Sequence, residues 1–246
     1  TGFEIGYDSV VPMSRDAFAL TFALVCTALP LLAGWWVWRR PFLAASLDST
    51  PDAPRSFGYK CWWVAVKANG ASQVAQALQQ LELASPLGPC NWACGLDRAS
   101  VGRGSRLAFV TPAVDGWVFV VNWPADTQAD LEHLARLSNT LGHPVFGFGS
   151  HRGVSAASWC IAESGRIKRA WARADGKTLH ELGVETGDER SLDISFAPAP
   201  AHDDDERWER NAHEATVIAL ASKWTRDPTT LDTVKTPGVG LLLRRK

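Results

Sequence analysis

The stretch "GSHRG", Gly149 to Gly153, sets a titratable imidazole beside a fixed guanidinium at the end of an apolar run. Flanking glycines let the backbone approach a ligand, so His151 could act as acid or base and Arg152 as an anion clamp. No nucleophile or second carboxylate is tied to the pair by spacing. A structural reading, with both side chains bonding neighbouring carbonyls and carboxylates, therefore weighs more. "HDDDE" (202–206) with His213 is the most ligand-rich patch, yet it lacks the glycine and ligand alternation of a calcium loop. "HEATV" lacks the second histidine of a zinc-protease helix, and "GRGS" (102–105) lacks the lysine of a phosphate loop. Ser155 and Ser158 have no nucleophile-elbow context. No catalytic residue, metal ligand or cofactor is assigned.

Five cysteines are present, Cys26, Cys61, Cys90, Cys94 and Cys160. The spacing in "CNWAC" is neither a redox CxxC nor a usual zinc spacing. The last four could pair as two disulfides or stay buried as reduced thiols. Twelve tryptophans stand against two tyrosines. Some belong to the core, and Trp117, Trp123 and Trp159 are candidate contact residues alongside His151 and Arg152. With 25 basic and 26 acidic residues, net charge −1, nothing points to nucleic acid.

The elements that must position these residues can be read from periodicity. "YKCWWVAVKA" (59–68) predicts a strand buried on both faces. "ASQVAQALQQLEL" (71–83) predicts an amphipathic helix, which the prolines and glycine of "SPLGPCNW" end. "RLAFVTP" and "GWVFVVNWP" predict two strands joined by an Asp-Gly turn. "DTQADLEHLARLSNTLG" predicts a helix capped by Asp126 or Thr127 and stopped at Gly142. "PVFGFGSH", "SAASWCIAES" and "RIKRAWARA" predict three strands, and "ERWERNAHEATVIALASKW" a closing helix. The order predicts an α+β fold, a mostly antiparallel sheet covered by helices.

Ahead of this domain, residues 17–38 carry no charged side chain and end in three tryptophans before Arg39 and Arg40. Twenty-two helical residues span about 33 Å, enough for a hydrocarbon core of about 30 Å. The expectation is a tail (1–16), a single transmembrane helix (17–38), a linker (39–56) and a globular domain (57–246), hung from a bacterial inner membrane. Positive charge after the segment leans toward a cytoplasmic domain. If synthesis starts at Met13, that charge difference nearly vanishes.

The segments "FGYKCWWVAVKA", "GPCNWACGLD", "FVTPAVDGWVFVVN", "FGFGSHRGVSAASWCIAESGRIKRAWARADG" and "ALASKWTRDPTTL" resemble a poorly characterised bacterial protein family. The shared features are the Gly-Tyr-Lys-Cys, Gly-Trp and Ser-His-Arg strand motifs. The resemblance covers roughly residues 57–240 and brings no established catalytic residues. Some members are similar to immunity proteins of bacterial antagonism loci. Small residues at Ser155, Ala156 and Ala157 depart from the family's pattern. The expected function is a membrane-anchored, non-enzymatic binding protein that neutralises a secreted toxin, its protein partner, by occlusion. The alternatives are an enzyme using His151 and Arg152, or a scaffold subunit of a membrane assembly.

Overall fold

The structure, a computed structural model, describes residues 46–100, 105–196 and 212–246. Nearly all of them fall in one unit, Leu47–Lys246. Its centre is a single nine-stranded sheet, antiparallel at every pairing. In chain order the elements are β1 (Trp62–Lys67), α1 (Ala71–Gln80), β2 (Ala84–Cys90), α2 (Trp92–Ala99), β3 (Leu107–Val110), β4 (Trp117–Val121) and α3 (Gln128–Leu141). They continue with β5 (Val145–His151), β6 (Ala156–Glu163), β7 (Arg166–Ala174), β8 (Lys177–Leu182), a short α4 (Gly187–Ser191), α5 (Glu214–Trp224) and β9 (Gly240–Arg245). Across the sheet the strands run β2-β9-β3-β4-β1-β5-β6-β7-β8.

Strand alternation divides the core between two faces. Val64 and Val66 of β1 point to the side covered by α1 and α3, which bring Val74, Leu78, Leu131, Leu134 and Leu137. Trp63 and Ala65 point to the other side, covered by α2 and α5 with Trp92, Val217 and Leu220. Burying each leucine contributes about 1.5–3 kcal/mol, which short helices need because their own hydrogen bonds are marginal in water. Local signals act as expected along α3. Thr127 forms a capping box with Asp130, and Gly142 ends the helix at φ 67°. Between β3 and β4, Asp115 and Gly116 both take positive φ, as a tight Asp-Gly turn requires.

One part of the expected fold class is corrected. The sheet is antiparallel with helices on both faces, but among the described residues no helix is long and apolar enough to cross a membrane. The segment expected to do so, 17–38, lies outside the described residues. The expected linker also needs revision, because its described end is built into the unit. Leu47 packs against the α2–α5 face, Pro54 is buried, and Asp52 bridges to Gly238. The Asp52 carboxylate accepts from the backbone N–H groups of Trp92 (2.6 Å) and Ala93 (3.0 Å). It thus joins Asn91, the local cap, in satisfying the first turn of α2. That turn packs tightly: a Cβ on Gly95 would strike the Phe109 ring of β3.

Candidate functional site

A cleft of about 660 Å³ opens where β1 begins, β4 and β5 end, and α2 finishes. Its walls are mainly apolar, with Phe57, Trp62, Leu96 and Val121 among them, and exposed Tyr59 stands at its edge. Cys61, Asn122 and His151 also line it, so the fold does bring thiol, amide and imidazole together.

The Cys61 and Asn122 side chains are engaged in holding the wall. The Cys61 thiol donates to the Trp62 carbonyl at 3.5 Å. Desolvation pushes it up to about 12, outweighing the opposing backbone N–H of Asn122. A thiol so placed stays protonated near neutrality and is no nucleophile. Asn122, at φ 62°, spends its side-chain amide on the carbonyls of Leu107 (2.7 Å) and Ser105 (3.3 Å). It thereby ties β3 to the end of β4. The His151 ring stacks on Trp62 with centroids 5.8 Å apart. Its buried Nδ1 has no hydrogen-bond partner among the described residues. Among the described residues no carboxylate orients the ring from that side, as the base of a Ser-His-Asp arrangement would be oriented.

Arg152 leads away from the cleft. Its Nε donates to Glu214 Oε2 at 2.5 Å, while Glu214 Oε1 accepts from the Lys60 N–H (2.9 Å) and the Ser150 hydroxyl (3.3 Å). The Glu214 side chain is 7% exposed. It opens α5, where the helix dipole favours a negative charge, and it clamps the start of β1 to the end of β5. Glycine at 149 serves the chain itself: a Cβ there would collide with the Trp62 ring.

The expected tryptophan contacts are placed differently. Trp159 is fully buried, stacked on Trp171 at 4.5 Å, with its indole N–H donated to Glu189 at 2.8 Å. Trp123 is 4% exposed in the α1–α3 core. Trp117 is half-buried, edge-on to Phe146 and beneath Lys67. None of the three lines the cleft, and none of the eight described tryptophans is exposed. The described tryptophans of this unit are buried or half-buried. Among the described residues no three His, Cys, Asp or Glu side chains stand together as a metal site. Residues 202–206 lie outside the described residues, and His213 caps α5 through its Nδ1.

Glu214 had no signal in the sequence, since its partners lie 62 or more residues away. Glu189, which takes the Arg169 Nε–H at 2.8 Å with both side chains buried, was also missed, although Thr186 three residues before it spells a capping box. Tyr59 and the C-terminal end of α2 could have been suspected only once the strand ends were known to meet. Comparison of the chain with protein-family models, curated proteins and solved structures finds no match. The roles of these residues therefore rest on their geometry.

Proposed function

We propose that this chain is a non-enzymatic binding protein whose cleft receives an apolar side chain of a protein partner. The observation that carries this reading is the contrast between the cleft's apolar walls and its quiet polar groups, a protonated Cys61 and a committed Asn122, with Arg152 next to His151 drawn off by Glu214. Sites of this size lined by apolar and aromatic groups bind by desolvation, with few polar contacts fixing orientation. The partner class we propose, from the resemblance noted above, is a bacterial toxin neutralised by occlusion.

Calorimetric titration against the product of the neighbouring gene tests this. Tyr59→Ala removes the edge aromatic and Ser100→Trp fills the cleft. Each should raise Kd at least about tenfold, roughly 1.4 kcal/mol, at unchanged Tm. Binding indifferent to both substitutions overturns the cleft as the contact site. The enzyme reading draws on the unpartnered His151 Nδ1. A turnover lost in His151→Ala with Tm unchanged would establish it instead.

A further inference from the structure

Tyr59 is 57% exposed and stands at the edge of the cleft. An aromatic ring so placed contributes most to binding when its backbone is already held, because ordering a side chain and its turn on contact costs part of the affinity. The turn beneath it, residues 58–60, is held from both sides. Before it, the Phe57 N–H donates to the Pro228 carbonyl at 3.0 Å; after it, the Cys61 carbonyl accepts from the Ser150 N–H at 3.0 Å. Gly58 takes φ 123°, with α5 so close that a Cβ would strike the Ile218 side chain. Lys60 takes φ 52°, a conformation that a residue with a side chain keeps only where contacts fix it. Those contacts converge on one carboxylate. Glu214 Oε1 accepts from the Lys60 N–H at 2.9 Å and from the Ser150 hydroxyl at 3.3 Å, and that hydroxyl is also 3.3 Å from the Gly58 carbonyl. Arg152 holds the other oxygen, Oε2, at 2.5 Å, so the carboxylate is fixed on both sides. Glu214 is itself buried and does not line the cleft; it reaches the cleft through the turn.

We propose that Glu214 is a positioning residue for the cleft: by fixing residues 58–60 it presents Tyr59 to the partner's apolar side chain in the bound geometry, with Ser150 and Arg152 as its supports. The inference rests on the binding function proposed above and adds the group that pre-organises it. The oxygen and the charge of Glu214 have separate duties. Oε1 pins the turn by accepting from Lys60, which an amide oxygen does as well. The negative charge serves Arg152 and α5, whose N-terminal dipole it complements. Affinity and stability therefore answer to different features of the side chain at position 214.

Three variants separate the two, read by NMR on the full chain with p-cresol as the probe of an aromatic anchor, alongside thermal melts. Glu214→Gln keeps an oxygen toward Lys60 and loses the charge. Its Lys60 amide exchange and its Kd for p-cresol should stay near wild type while Tm falls. Glu214→Asp keeps the charge and, one methylene shorter, loses the reach. Its Tm should stay nearer wild type while Lys60 exchange quickens and Kd rises roughly threefold to tenfold. Glu214→Ala should lose both. A Kd that follows Tm through the series overturns the inference and returns Glu214 to a purely structural role, with the cleft still standing. A Kd that stays constant while Lys60 exchange quickens overturns it equally, since the pinned turn would then be idle in binding. If p-cresol leaves the cleft amides of wild type unmoved, or moves them as much in Ser100→Trp, the cleft reading itself falls and this inference with it.

Discussion

At Cys61, Cys90 and Cys160, removing a thiolate from water costs enough to push each thiol up to about 12. Cys90 is held there also by the neighbouring Cys94, against the pull of Arg98. At pH 8 only about one such thiol in ten thousand is ionised. All four described cysteines are free. Native alkylation at pH 8 should therefore leave Cys61, Cys90 and Cys160 unmodified by mass spectrometry, with labelling only after denaturation. Fast native labelling of Cys61 would show a thiolate and reopen nucleophilic chemistry in the cleft. The sequence left disulfide and thiol readings open because the spacing of "CNWAC" constrains neither; burial in the fold separates them. The His151–Arg152 pair was legible as a pair. Its division of labour, one ring stacked on Trp62 and one cation on Glu214, depends on contacts across the sheet.

Helix ends fasten the elements to the sheet through glutamates. Glu189 completes a capping box with Thr186 on α4. Its Oε1 then takes Arg169 of β7 and Trp159 of β6, both at 2.8 Å. Arg169 also donates to the Gly183 carbonyl at 3.2 Å, so one buried pair joins three strands' worth of chain to a single helical turn. Glu189→Ala leaves the buried Arg169 guanidinium with only half-exposed Glu181, at 3.4 Å, as counter-charge and should cost up to about 3–5 kcal/mol by urea denaturation, whereas replacing Arg169 and Glu189 together with Met and Leu should cost far less. Equal losses in single and double variants would mean that packing, not charge, is what the pair supplies. Elements with local signals were legible: the Thr127 cap, the Gly142 stop and the Asp-Gly turn. Those without were not. β2 reads as a breaker because of Pro86 and Pro89, and it survives as a strand only because it lies at an edge. α2 depends on Asp52, 40 residues earlier, for part of its first turn. β8 and β9 are short, and only pairing identifies them.

At the scale of the described unit, the two-faced core absorbs its described tryptophans, which composition alone could have placed on a surface, and the cleft is left to make contacts. One buried titratable group links that architecture to pH. His180 of β8 lies across from Ala172, with its Nε2 buried and unpartnered among the described residues. Burial lowers its affinity for a proton below the ordinary value of 6.5, while Asp126 and Asp130, from α3 and the turn before it, pull partly the other way. The unfolded chain therefore binds the proton more readily than the folded one. Stability from the neutral ring is fully present above pH 6.5 and drains as pH falls from there toward the folded pKa. Thermal melts at pH 7.5, 6.5 and 5.5 should show wild-type Tm falling more steeply than that of His180→Asn. Parallel curves for wild type and variant would remove His180 as the source of the acid sensitivity.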